Sequence, residues 1–176
     1  MTGPDTHVRL ALPRDVAAVA AIQARVWRQT YRELFPEQVL AELESAATVQ
    51  WTQAVMAPPT DAHHLLVALD GVRVVGFAAV APSEDADAEP TQVGELAILT
   101  VDPSSRGAGH GSRLLSAAAE TMATNGLRTA TSWVPEADTA LRHFLESAGW
   151  AADGARRSLD TGGAPLVELR LHTALA

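Results

Sequence analysis

The chain has 176 residues, enough for one domain spanning 1–176, and carries 13 Lys and Arg against 21 Asp and Glu, a net charge of −8. That balance, with no basic cluster, excludes neutralisation of a nucleic-acid backbone and suits a cationic amine or basic peptide, though acidity is also an ordinary solubility device. With no cysteine, disulfides, thiolate metal sites and a cysteinyl acyl-enzyme are excluded. The first residues lack a basic segment leading into a long apolar one, and no run is apolar enough to span a bilayer, so the expectation is a soluble cytoplasmic protein without a membrane partner.

In chain order, His7 to Leu10 reads as a short strand, and Pro13, Arg14 and Asp15 lead into a helix with Val16, Val19, Ile22 and Val26 on its core face. Trp27, Tyr31 and Phe35 recur at i, i+4 and i+8 along a neighbouring stripe that runs until Pro36. They read as a packing stripe or as the wall of a pocket. From Glu37 to Met56 the pattern is again helical, read as two helices, until Pro58-Pro59 closes it. His64 to Asp70 and Val72 to Val80 are apolar strands joined at Asp70-Gly71, a hairpin signal. Pro82 to Gln92, with four acidic residues and two prolines, reads as a solvated loop, with recruitment of a cationic acceptor as the alternative.

The richest stretch runs from Glu95 to Asn125. Glu95 to Val101 is a largely buried strand ended by Asp102 and Pro103, and Gly107, Gly109 and Gly111 then turn the backbone into a helix expected to begin after Gly111. Leu114, Leu115, Ala118, Ala119 and Met122 fall on one face of that helix, and Asn125-Gly126 stops it. A helix N-terminus offers unpaired N–H groups and the positive end of a dipole, so this is the build of an anion cradle to which Arg106 adds charge. A Walker A loop is excluded because Ser112 and Arg113, not Lys and Ser or Thr, follow Gly111; a dinucleotide fingerprint would need glycine where Ser112 stands. Beyond it, Leu127 to Val134 is a strand, Pro135 to Ala148 a helix, and Trp150 starts a terminal strand pair that turns at Asp160 to Gly163 and ends with Pro165 to His172. Strands cluster early and crossovers come late, which gives an α/β fold with a mixed sheet and helices on both faces.

The spacing Arg106-x-x-Gly109-x-Gly111 after a strand ending Val101-Asp102-Pro103 resembles the acyl-CoA-binding motif of the GNAT N-acetyltransferase superfamily. Asp138 to Trp150, DTALRHFLESAGW, resembles that family's second motif, with Phe144, Glu146, Gly149 and Trp150 matching; the terminal hairpin and WRQTYRELFP are similar to those of bacterial members. The resemblance implies a mostly antiparallel sheet of about seven strands and an enzyme that moves an acetyl group from acetyl-CoA directly to a primary amine of a small molecule or peptide, without a metal. It implies acyl-CoA contacts from Leu99, Thr100 and Val101 of the strand, from Arg106, Gly107, Ala108, Gly109, His110, Gly111 and Ser112 of the turn, and from Asp138, Leu141 and Phe144 of the later helix. The main-chain N–H of Leu99 would polarise the thioester carbonyl, and Trp27, Tyr31, Phe35 and Trp133 would wall the acceptor.

Glu95, 11 residues before Arg106, stands at the offset where the histone-modifying branch of the family places a carboxylate that takes the amine proton; as a bare residue it also reads as a solvated strand-edge glutamate. Leu145 departs from the resemblance, because that position usually carries a tyrosine that protonates the CoA thiolate. Either water, Ser132, Ser147 or Tyr31, the single tyrosine, supplies that proton, or the thiolate leaves without one. A non-catalytic acyl-CoA-binding domain is the alternative reading. His63-His64 lacks the spacing of a metal site, His143 is a surface or pocket-wall residue, and a homodimer is compatible with the sequence but has no readable seam.

Overall fold

The computed structural model describes residues 5–33 and 35–176. The elements are β1 (Thr6–Leu10), α1 (Val16–Tyr31), α2 (Glu37–Met56), β2 (His64–Asp70), β3 (Arg73–Pro82), β4 (Val93–Val101), α3 (His110–Thr124), β5 (Thr129–Pro135), α4 (Thr139–Ser147), β6 (Ala151–Leu159) and β7 (Leu166–Ala174), with single 3-10 turns at Pro13–Asp15 and Pro103–Ser105. The seven strands form one sheet in the order β1-β2-β3-β4-β5-β7-β6. Every neighbouring pair is antiparallel except β4 with β5. This is the mixed, mostly antiparallel sheet expected from the sequence.

Alternation along the strands divides the core between two layers. On one face Leu65, Val67, Leu69 and Phe77 meet Val16, Val19 and Ile22 of α1 and Ala47 and Trp51 of α2. On the other, Leu66, Val75, Ala78, Val80, Leu96, Ala130 and Leu171 meet Leu114, Leu115, Ala118 and Met122 of α3 and Leu145 of α4. Burial of each large aliphatic side chain is worth about 1.5 to 3 kcal/mol, so these stripes hold the helices to the sheet. The α3 layer also depends on two glycines. A Cβ at Gly76 would lie 2.8 Å from the Thr100 carbonyl oxygen and 3.1 Å from Leu114, and one at Gly94 would lie 2.7 Å from Met122 Sδ.

Several boundaries differ from the sequence reading. Glu37–Met56 is one helix rather than two, because it contains no glycine or proline to break it. Helix α1 ends at Tyr31, so Phe35 stands beyond the helix. The Phe35 N–H still donates to the Tyr31 carbonyl at 3.0 Å, and the two rings meet edge-on with centroids 5.6 Å apart. Helix α4 starts at Thr139 because the Asp138 carboxylate caps it, accepting from the Leu141 N–H at 3.0 Å. Helix α3 starts at His110, inside the glycine motif rather than after it, because Gly109 at φ +81° makes the left-handed turn immediately before.

Candidate active site

The parallel register of β4 and β5 covers only Val93–Glu95 against Thr129–Thr131. Both strands continue, β4 to Val101 and β5 to Pro135, without further pairing to each other. A bulge lies at this fork: Ala79 faces Ile98 and Val80 faces Leu96, so Ala97 is the extra residue. Bulges bend a strand and sharpen its twist, which turns β4 away from its neighbour. The buried Ser132 hydroxyl donates to the Leu96 carbonyl at 2.8 Å and closes the apex. Past it, the β5-facing edge of β4 is free main chain, and it includes the half-buried Leu99, Thr100 and Val101. An open sheet whose parallel strands diverge at their carboxyl ends offers a ligand a slot at that end.

The glycine turn lies at the same end. Asp102 Oδ1 accepts from the Ser104 N–H at 3.0 Å and the Ser104 hydroxyl at 2.8 Å, while Oδ2 accepts from Arg25 of α1 at 2.5 Å. The turn is thereby tied to the N-terminal helix. Gly107 and Gly109 both have positive φ, and Arg113 reaches back to the Ala108 carbonyl at 3.0 Å. Among the described residues, the N–H groups of Gly109, His110, Gly111 and Ser112 have no protein acceptor. Arg106, Ala108 and Ser112 are exposed around them. His110 is 3% exposed and its Nδ1 has no partner. Gly111 sits under Phe144, whose ring would lie 3.5 Å from a Cβ there, so α4 braces the start of α3; Leu141 packs half-buried beside it. Unpaired donors at the N-terminus of a 15-residue helix fit the pyrophosphate of a CoA ester.

On the α1 side of the fork the sheet forms a polar shelf. Glu95 opposes Thr131, and Trp133, Arg170 and Glu168 continue the same face across β5 and β7, with Arg157 of β6 paired to Glu168. Arg157 donates to Glu168 at 2.5 Å and lies 4.4 Å from the centre of the Trp133 ring. The loop 83–92 is folded onto this shelf rather than simply solvated. Arg170 binds Asp85 at 3.1 Å, Asp87 at 2.7 Å and Asp153 at 2.7 Å, and the Trp133 indole N–H donates to Asp85 at 3.0 Å. Burial, together with the charges of Asp85, Glu84 and Glu168 and against the pull of Arg157, raises the proton affinity of Glu95 above that of an ordinary carboxylate. Arg157, Arg170 and Asp85 are site residues that sequence reasoning missed. The available signal was the run Glu168, Arg170, His172, which puts three titratable groups on one face of a strand.

Helix α1 brings its C-terminal end to the same place, with Trp27, Tyr31 and Phe35 half-buried. Burial, helped by the charges of Asp138 and Glu168, pushes the Tyr31 phenol up to about 12. Of the other hydroxyls, that of Ser132 donates its hydrogen bond to the Leu96 carbonyl and that of Ser147 donates to the His143 carbonyl at 2.7 Å. Leu145 is 0% exposed within the core, so its position faces packing rather than the slot. Among the described residues there is no group of three or more His, Asp or Glu placed to hold a metal ion, and no helix is long and apolar enough to cross a membrane.

The model of the acetyltransferase (GNAT) family matches residues 24–150, and the chain belongs to that family of acyl-CoA N-acyltransferases. No curated protein matches the sequence. Among solved structures, the fold is similar to that of paia N-acetyltransferase from Thermoplasma acidophilum in complex with coenzyme A, at TM-score 0.75 and 15% identity, covering 97% of this chain and 99% of that one. It is also similar to ribosomal-protein-alanine N-acetyltransferase from Brucella melitensis, at TM-score 0.73 and 22% identity over 96% and 99% of the two chains. A third similar structure is yncA from Salmonella typhimurium with its cofactor acetyl-CoA, at TM-score 0.71 and 16% identity over 98% and 95%.

Proposed function

We propose that this protein transfers an acetyl group from acetyl-CoA directly to a primary amine of a small molecule or peptide, with Glu95 as the base. The observation that carries the reading is the fork itself: a free β4 edge between a helix N-terminus with unpaired donors and a half-buried carboxyl of raised proton affinity. Acetyl-CoA supplies the activated acyl group as a thioester. The N–H groups at Gly109 to Ser112, with Arg106, would hold its pyrophosphate; the edge at Leu99 and Val101 would align its arm, and the Leu99 N–H would face the developing oxyanion. One such preorganised donor is worth about 3 kcal/mol. An aliphatic ammonium titrates near 10.4, so freeing the amine at pH 7 costs about 4 to 5 kcal/mol, which a base beside it offsets. The raised proton affinity of Glu95 supports that task, and Trp133, Tyr31, Trp27 and Phe35 would wall the acceptor. Tyr31 keeps its proton at neutral pH and is the group best placed by its chemistry to return one to the departing thiolate.

The first test is the thermal midpoint with and without acetyl-CoA, with adenosine as control. Ligand at 100 times its Kd adds about 2.7 kcal/mol, which raises the midpoint of a domain this size by roughly 5 to 10 °C. No rise at millimolar acetyl-CoA overturns the cradle. Thiol release on addition of primary amines then separates an enzyme from a domain that only binds acyl-CoA. Glu95→Gln is expected to lower kcat by about 10² to 10⁴-fold with the acetyl-CoA Kd unchanged. An unchanged kcat where chemistry limits the rate removes Glu95 from the mechanism.

A further inference from the structure

We propose that Asp85 is an electrostatic partner of the base: bound by Trp133 and Arg170 over the face of the sheet that carries Glu95, it fixes a negative charge on the Trp133 side of the site. The inference rests on the reading of Glu95 as the base. Its geometry comes from the sheet. Glu95 pairs with Thr131, and Trp133 is the next residue on that face of β5, so the Trp133 side chain is the diagonal neighbour of Glu95. The indole N–H holds both Asp85 oxygens, at 3.0 and 3.2 Å, and Arg170 holds Oδ2 at 3.1 Å. The loop behind Asp85 is fixed as well: the Ser83 N–H donates to the Val93 carbonyl at 2.9 Å, and the Ser83 hydroxyl accepts from the Asp85 N–H at 3.3 Å.

Arg170 does more than neutralise Asp85. It is shared among Asp85, Asp87 and Asp153, so one positive charge faces three negative ones and the shelf keeps an excess of negative charge. The charged and titratable groups around Glu95 are Glu84 and Asp85 from the loop, Arg157 from β6, and Glu168, Arg170 and His172 from β7, while Tyr31 stands at the end of α1. Thr131 and Trp133 of β5 bring no charge. Among the acids, Asp85 is the one fixed by three hydrogen bonds on the Trp133 side. The ammonium of the acceptor has to lose a proton here, and the carboxylate form of Glu95, with its raised proton affinity, is suited to taking it.

The test reads the charge pair without needing the acceptor. Carboxyl-13C NMR titration of the full chain, labelled at glutamate, reports each carboxyl, and the Glu95 signal is the one absent from Glu95→Gln. Asp85→Asn keeps the shape and the indole acceptor but removes the charge; Asp87→Asn removes a charge from the same Arg170 without facing Glu95. At the dielectric constant of water, a unit charge within about 7 Å changes a proton equilibrium about threefold or more. The expected result is a Glu95 midpoint that falls in Asp85→Asn, with the protonated-to-ionised ratio at a given pH lower by about threefold or more, and stays in place in Asp87→Asn. A midpoint unmoved by Asp85→Asn, or moved equally by Asp87→Asn, overturns the proposal. Loss of thiol release in Glu95→Gln tests the base reading separately, so each claim fails by its own experiment.

Discussion

Replacing Tyr31 by phenylalanine removes one hydroxyl and leaves the ring, with its edge-on contact to Phe35, in place. The proposed mechanism gives that hydroxyl one measurable consequence, and its burial gives a second. The first is catalytic: general acids contribute about 10² to 10⁴-fold, and a thiol near 8.5 already leaves tolerably as its anion, so the loss belongs at the low end, about 100-fold in kcat. The interaction exists only as the thiolate departs, so acetyl-CoA affinity stays within about twofold. The second is a linkage effect. The unfolded phenol titrates at 10.0 and the folded one at about 12, so the native protein holds its proton where the unfolded chain releases it. Stability is therefore full below pH 10 and falls as pH rises through the folded value. Two pKa units correspond to about 2.7 kcal/mol, and the partial exposure of Tyr31 reduces this to about 1 to 2 kcal/mol. The assays are thiol release under single-turnover conditions and urea midpoints from pH 9 to 12. An unchanged single-turnover rate refutes the acid role; a urea midpoint that falls as steeply in Tyr31→Phe as in the parent refutes the burial argument.

Three further outcomes follow from the geometry. Gly109→Val forces a branched residue into φ +81° and fills the space before the free N–H groups, so it is expected to abolish the midpoint rise with acetyl-CoA, as read by thermal unfolding. Gly76→Ala sets a methyl 2.8 Å from the Thr100 carbonyl and is expected to cost about 1 to 3 kcal/mol in urea unfolding, while the smaller Leu114→Val partly relieves it in the double variant. Asp15, 5% exposed, pays for burial with bonds from Arg9 at 2.6 and 3.1 Å and from the Leu12 N–H at 2.7 Å, and these hold its carboxyl below the usual range. Its contribution is present above the unfolded value of 3.8 and lost as pH falls through the folded one, so Asp15→Asn is expected to cost about 2 to 4 kcal/mol at pH 7 and to flatten the acid side of the stability profile.

The cradle is legible in the sequence because its chemistry is local. A buried strand, three spaced glycines and an amphipathic face occupy one stretch of chain, and each leaves its own pattern. The fork is not legible in the same way. Which strand lies beside β4, and for how many residues, depends on contacts far apart in the chain, and a bulge at Ala97 leaves no mark in an apolar run. Arg170 stays hidden for a related reason. In LVELRLHTA the charged residues alternate with Val167, Leu169 and Leu171, a pattern that ordinarily means a solvent-facing edge; only the return of loop 83–92 over that face makes it a site. Tyr31 lies between these cases. Its helical spacing with Trp27 is visible, but its proximity to Asp138 and Glu168 comes from the packing of α1 against β3 and β4.

The short parallel register of β4 and β5 also bears on how this chain can change over time. Much of the proposed cofactor slot is made of peptide groups, at the edge of Ile98 to Val101 and at the start of α3, and every amino acid except proline supplies the same donor and acceptor. Substitutions along those strands alter packing without removing the contacts offered to a thioester. The proposed acceptor shelf is built the opposite way, from the side chains of Glu95, Trp133, Arg157 and Arg170 and from a loop held by aspartates. One half of the site therefore tolerates drift and the other half records it, so a single backbone can keep one donor while its choice of amine is rewritten a few residues at a time.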